Sequence, residues 1–385
     1  MKRRILIIMG RYLPGFRDGG PVRSIQNLTD RLGDDFDFII LTCDRDRGDT
    51  KPYSGIKKGA FNRVGKARVF YVEPHGFSFR IIKKLSEKAD LIYLCGCFND
   101  YARKTLLMKR MGRIRIPVLV AAMGLFSYDE FHIKYPKKKA YTSLMDVTGC
   151  FKNVSWSCSS EQEKRDVKRE IHRTGTFYTA RDLPVLMTGE TPVKGKAKGE
   201  LKLFYLGRIA RVKNLEGAVR SLLAVDVTGI RISFSIYGGM DDEGYYEECR
   251  ALLSKLPENI TWEYKGLIPA DRVVEVLRKQ EHVLIMDSFG ENYGHAIFES
   301  LSAGCPVLIS DKTSWHEVER KGAGFECPLS DYRVFASHIR DYALMDSGEF
   351  EKASRAAFEY AKTLGGSDCE REYRIMFTDA APLKW

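Results

Sequence analysis

The chain has 385 residues, 62 basic and 51 acidic, for a formal net charge of +11; 44% are apolar and 29% charged. Such globular proportions exclude a disordered or fibrous chain, and the length exceeds what one hydrophobic core ordinarily serves. Residues 1–190 hold 36 basic and 21 acidic side chains (net +15) and residues 191–385 hold 26 and 30 (net −4), which predicts two domains and an anionic partner for the first.

In chain order, Lys2-Arg3-Arg4 precede a six-residue apolar run that is too short for a signal segment, and Arg4–Gly10 reads as a first strand. Pro21–Leu32 reads as a helix, with Pro21 at its first position and Gly33 as a left-handed stop. Further strands are expected at Phe36–Thr42, Val69–Val72, Leu91–Leu94, Pro117–Ala122 and Val154–Cys158, with helices near 78–88, 99–112, 133–146 and 160–173. The last opens on a capping box, Ser160 to Glu163. No charge-free stretch is longer than the 13 residues Ile116–Tyr128, so no membrane span is expected. Nine cysteines without paired spacing, among them Cys95 and Cys97, predict buried free thiols in a reduced, cytoplasmic protein. The Gly-, Lys- and Thr-rich Leu186–Glu200 reads as a linker. A second series follows, with strands at Leu201–Leu206, Ile230–Tyr237, Ile260–Tyr264, Val283–Met286 and Pro306–Ile309, and helices at 214–226, 243–256, 270–280, 294–303 and 331–346. From Glu349 the chain reads as helix to about Phe377. The alternation predicts two doubly wound, Rossmann-like α/β domains, 1–190 and 191–365, facing a central cleft, and a tail, 366–385, that packs back on the first.

Chemistry concentrates in Glu291-Asn-Tyr-Gly-His-Ala-Ile-Phe-Glu299. The first carboxylate lies in a loop after a buried strand and the second inside the next helix, so the two can reach different parts of one elongated ligand. Backbone N–H groups near Gly294 offer an anion site, or the segment is an acidic loop with a solvated Glu. Arg208 and Lys213 follow the first strand of the second series; Gly207 allows close approach there and Asn214 can cap the helix. Two cations at a strand's carboxyl end can neutralise a diphosphate. Gly19-Gly20 ends the loop before the first helix, and Gly238-Gly239 ends another strand; each is a ligand approach or a plain turn. Asp44-Arg45-Asp46 has metal-binding spacing but reads as a solvated loop. No Walker sequence or G-x-G-x-x-G occurs.

These residues resemble glycosyltransferase family 4, the retaining enzymes of GT-B architecture. The resemblance rests on Gly19-Gly20-Pro21, Gly207-Arg208 with Lys213-Asn214, the Glu291–Glu299 pair with Gly294, and Ser310–Trp315, which is similar to bacterial capsule, O-antigen and exopolysaccharide members. It implies an acceptor-binding first domain and a donor-binding second one. Glu299 would hold the nucleotide ribose, and Glu291 with Asn292, Tyr293 and Gly294 would contact the donor sugar. Arg208 and Lys213 would stabilise the departing nucleoside diphosphate, and Gly19, Gly20, Gly207 and Gly239 would admit the donor. It implies no metal and no cofactor beyond a nucleotide-diphosphate sugar, with a uridine donor favoured over guanosine. Met123 stands where the family places a His or Arg, and His75 and His132 are candidates for that role or ordinary loop histidines. His295 reads as a helix-start residue.

The implied function is metal-independent hexosyl transfer to a lipid-linked glycan, at the cytoplasmic face of the cell membrane. Arg103, Lys104, Lys109 and Arg110, interleaved with Leu106, Leu107, Met108 and Met111, are the expected surface for anionic lipid or acceptor, and Lys134, Lys137, Lys138 and Lys139 form a second cluster. A nucleotide-sugar epimerase or phosphorylase on the same frame, and a non-catalytic binder of anionic polymers, are the alternatives. The basic clusters lack the interleaved aromatics expected for nucleic acid.

Overall fold

The computed structural model describes residues 2–187, 192, 194–365 and 367–381. Residues 188–191 and 193 of the predicted linker, with the predicted 190/191 boundary, lie outside that set, as do residues 366 and 382–385 of the predicted tail. The chain divides into two compact units, Met1–Leu183 with Gly366–Trp385, and Pro184–Gly365.

The first unit is built on strands β1 (Arg3–Ile8), β2 (Phe36–Cys43), β3 (Phe61–Val64), β4 (Ala67–Val72), β5 (Leu91–Cys95), β6 (Val118–Ala121), β7 (Ser155–Cys158) and β8 (Phe177–Thr179). They lie in the order β3-β4-β2-β1-β5-β6-β7-β8, parallel except for the antiparallel β3–β4 pair. Continuous apolar runs suit strands covered on both faces. Leu6 and Ile8 pack into one core with Ile82, Leu106 and Trp156, while Ile5 and Ile7 pack into another with Ile25, Leu28 and Phe377. Phe377 belongs to the helix Ser367–Ala380, whose ring centroid lies 5.4 Å from those of Phe36 and Tyr93. Arg31–Glu370 (2.7 Å), Arg374–Asp35 (2.9 Å) and Arg181–Glu372 (2.8 Å) fasten that helix to the unit.

The second unit carries β9 (Glu200–Leu206), β10 (Arg231–Tyr237), β11 (Ile260–Gly266), β12 (Val283–Met286), β13 (Val307–Ser310) and β14 (Gly324–Cys327). Their order is β11-β10-β9-β12-β13-β14, all parallel. Its sheet is likewise covered on both faces. The direction of winding reverses between β9 and β12, the topological switch point where open α/β sheets bind ligands beyond their carboxyl ends.

Several local expectations need correction. Gly33 is not left-handed (φ −67°); glycine is required because a Cβ there would run into Lys66 and the Thr29 carbonyl. The capping box is half formed: Ser160 accepts the Glu163 N–H, but the Glu163 carboxylate turns instead to the N–H groups of Ser159 (2.6 Å) and Gly124. The helix expected at 133–146 runs Tyr135–Val147 and is preceded by a short helix that was not expected, Tyr128–His132; the tail is two helices, Ser347–Leu364 and Ser367–Ala380. The short edge strands β3, β8 and β14 were not expected. All nine cysteines are buried free thiols.

Candidate functional site

In the second unit, four loops leave the carboxyl ends of adjacent strands β10, β9, β12 and β13. The loop after β9 carries Gly207, Arg208 and Lys213; the loop after β12 carries Asp287, Ser288 and Glu291. Lys213 Nζ meets Glu291 Oε1 at 2.6 Å, an ion pair spanning the switch point. Ser288 Oγ donates to the same carboxylate oxygen at 3.3 Å. Asn214 caps the helix Leu215–Leu223 from a left-handed conformation (φ 51°), accepting the Gly217 N–H at 3.1 Å. Its Nδ2 donates to the carbonyl of Asp287 (2.8 Å) and to its carboxylate (3.1 Å), so one side chain starts the helix and ties the two loops together.

Asp287 is fully buried and also accepts the Ser330 N–H at 3.0 Å. Burial raises its carboxyl to about 6, against the pull of that hydrogen bond. Asp287 and Ser288 were missed because no spacing rule marks them; the signal was a polar pair ending a buried strand.

Arg208 is bound to Asp241 (2.6 Å), another residue not anticipated. The buried Tyr205 hydroxyl donates to the Arg208 carbonyl at 2.9 Å and lies within electrostatic reach of both Glu291 and Arg208. Both cations thus stand at one edge, each balanced by a carboxylate. Gly238 is held at φ 151°, and a Cβ there would overlap the Gly207 carbonyl, so the loops after β9 and β10 approach closely only through glycine. Gly239 meets only the Leu267 side chain.

The helix His295–Ser302 starts at Gly294 in the left-handed region (φ 81°), as its position after the loop requires. Trp315 Nε1 donates to the Tyr293 carbonyl (2.6 Å) and Ser314 Oγ to that of Asn292 (3.3 Å). The Ser310–Trp315 stretch therefore braces the backbone of 292–294. Glu299 is buried in the second turn of the helix, and His295 is its first residue.

In the first unit, Gly19 (φ 62°) precedes the helix Gly20–Leu32, with open space around its Cα. Asp44 and Asp46 do not form a solvated loop. Both are buried: Asp44 pairs with Arg45 (2.7 Å) and Lys58 (3.3 Å), and Asp46 accepts the N–H groups of Phe16 (2.8 Å), Arg17 (3.2 Å) and Arg47 (2.8 Å). They brace the loop before Gly19. Burial pushes the Asp44 carboxyl up, but its two cations outweigh this and hold it below the usual range.

Met123 sits in the left-handed region (φ 52°), half-buried, with the next N–H on the Glu163 carboxylate. His75 is an exposed loop residue, and His132 stacks between Tyr128 and Tyr135, at 4.0 and 4.8 Å.

The expected lipid surface is altered. Arg103 (2.6 Å) and Lys104 (2.5 Å) pair with Asp100, Lys109 Nζ donates to the Ile116 carbonyl (2.9 Å), and Arg110 Nε to that of Thr148 (3.0 Å). Leu106 and Met108 are core residues and Leu107 packs against the core, because the helix needs an apolar face for its own sheet; Met111 alone of the four is exposed.

Residues 189–362 match the family model Glycosyl transferases group 1. The chain is 29% identical over 269 residues to O-antigen chain mannosyltransferase B of Escherichia coli, covering 64% of this chain and 66% of that protein, just under two thirds of its length. In fold it is similar to HepE of Anabaena, solved with UDP and glucose, at TM-score 0.69 and 13% identity over 99% of this chain and all of that one. Sucrose-phosphate synthase of Thermosynechococcus elongatus gives TM-score 0.71 and 16% identity over 98% of this chain and all of that one. The fold is the GT-B class of two Rossmann-like α/β units.

Proposed function

We propose, from the membership of residues 189–362 in the glycosyl transferases group 1 family, that this protein is a retaining, metal-independent glycosyltransferase of bacterial surface polysaccharide synthesis. It moves a hexose from a nucleotide-diphosphate sugar, with uridine as the first base to test, to a lipid-linked glycan. The name of the Escherichia coli relative supports an O-antigen type of acceptor.

The observation that carries the reading is the Lys213–Glu291 pair across the switch point. The bond from the anomeric carbon to the leaving phosphate breaks, leaving positive charge on the sugar and negative charge on the diphosphate. Lys213 and Arg208, already oriented by Glu291 and Asp241, stabilise that phosphate without moving into place. Glu291 and the braced backbone of 292–294 hold the sugar, and Glu299 takes the ribose hydroxyls. The acceptor oxygen attacks from the face the diphosphate leaves, which retains configuration, and its proton passes to the leaving phosphate oxygen. In the first unit, Gly19 and Gly20 offer a backbone edge to phosphate. The +15 of residues 1–190 suits work at the acidic inner leaflet.

Incubation with a panel of uridine and guanosine diphosphate hexoses tests this. One donor should release free nucleoside diphosphate slowly with wild type and not with Lys213→Ala; no release from any donor, with or without a lipid-diphosphate acceptor, would overturn the reading.

A further inference from the structure

The helix Tyr135–Val147 is amphipathic the wrong way round. Its sequence offers Lys137-Lys138-Lys139 as an evident solvated face. Two of these turn toward the unit and pair with carboxylates, Lys138 with Glu130 at 3.2 Å and Lys139 with Glu170 at 2.8 Å. The outward stripe is instead Pro136, Ala140, Leu144 and Val147, at the three- and four-residue spacing of one helical face, with Leu144 62% and Val147 68% exposed. Just before it, Tyr128 (67% exposed), Ile133 (47%) and Tyr135 are also exposed, the two tyrosines joined through the His132 ring.

Cations rim this stripe. Lys134 and Lys137 are exposed at its start. At its end Arg110 Nε sits on the Thr148 carbonyl (3.0 Å) and Arg173 on that of Val147 (3.2 Å), so cations stand at both ends of the helix. The one acid of the helix, Asp146, is buried and accepts the N–H groups of His172 (3.2 Å) and Arg173 (2.8 Å), so it does not offset the rim.

We infer that this face, centred on Leu144 and Val147 and rimmed by Lys134, Lys137, Arg110 and Arg173, docks on an anionic lipid bilayer. Aliphatic and tyrosine side chains suit the headgroup–acyl boundary, and the rim suits the phosphates beside it. The inference deepens the peripheral-membrane part of the proposed function and moves the contact from residues 103–110, where the leucines are not available, to the outward face of 128–148.

Co-sedimentation with vesicles of phosphatidylcholine alone, and of phosphatidylcholine with phosphatidylglycerol, tests it in the full chain. Wild type should bind the anionic vesicles, less at high salt. Leu144→Ser with Val147→Ser should weaken binding about tenfold or more at unchanged thermal unfolding, since both side chains are already in water. Lys134→Ser with Lys137→Ser should do the same and lower the salt dependence. Arg103→Ser with Lys104→Ser should change little. Equal binding to neutral vesicles, full binding by the Leu144/Val147 variant, or loss confined to the Arg103/Lys104 variant would overturn the inference. So would a concentration-dependent dimer that the Leu144/Val147 variant abolishes, because the face would then serve a second copy. Binding is read without turnover, so its failure and the failure of the transfer reaction are told apart.

Discussion

Lys213 and Glu291 each hold the other in place, so removing one does more than delete a charge. Lys213→Ala withdraws a cation from the leaving phosphate and takes its ion-pair partner from a largely buried carboxylate, whereas Arg208→Ala withdraws the second cation and one partner of Asp241. Both should lower kcat by about 10²-fold with a smaller change in KM, as expected for groups that act on charge developing in the transition state. Steady-state kinetics in EDTA check this, and dependence on added magnesium would count against fixed cations as the source of stabilisation. Glu299→Ala should weaken nucleoside diphosphate binding by roughly 1.5–3 kcal/mol, the worth of a charge-assisted hydrogen bond, while the helix keeps its core contacts through Ile297, Phe298 and Leu301. Titration calorimetry reads this directly, and unchanged affinity would remove Glu299 from the ribose.

The loops that bear these residues depend on a few fixed points of the elements. Gly238→Ala would drive a Cβ into the Gly207 carbonyl and part the loops after β9 and β10. A cost of at least 1–3 kcal/mol, roughly that of overpacking, should appear as a lower urea midpoint, together with lost activity through Arg208. Asp287 gives the second unit a pH dependence of defined sign. Its carboxyl sits near 6 when folded against an ordinary value of 3.8, so the folded state binds the extra proton. The resulting stability is full below about pH 4 and lost as pH rises through about 6, a change on the order of 3 kcal/mol. Urea unfolding at pH 4.5 and 7.5 should show Asp287→Asn with less of this decline than wild type. The α/β alternation was legible because strands covered on both faces write themselves as unbroken apolar runs. The edge strands were not: β3 and β8 are short and half-buried, and their residues look like loop. Glu291, Lys213 and Arg208 were legible from their place after strands, whereas Asp287, Ser288 and Asp241 act through partners far away in sequence. The inverted helix Tyr135–Val147 was illegible for a related reason, since Lys138 and Lys139 turn toward the unit only because Glu130 and Glu170 arrive from other elements.

At the scale of the molecule, the two units are not consecutive in the chain. Residues 1–183 leave their sheet, the whole of Pro184–Gly365 follows as the second unit, and the helix Ser367–Ala380 then returns to the first. Phe377→Ala should therefore destabilise residues 1–183 by about 3–5 kcal/mol, the usual cost of emptying a buried phenylalanine site. Hydrogen exchange followed by mass spectrometry should show faster exchange in β1, β2 and β5 and unchanged protection in β9, β10 and β12; equal loss in both would mean that they unfold as one. The detour also has a consequence in time. A ribosome finishes the first sheet early but delivers Phe377 only 194 residues after Leu183, roughly 10–40 s later at ordinary elongation rates. Throughout that interval Phe36, Phe38 and Tyr93 lack the ring that completes their cluster, and the second unit has its full sequence before that ring arrives. The part of the protein made first is thus the part finished last, and the nascent chain spends the wait with an open apolar face that a chaperone can hold.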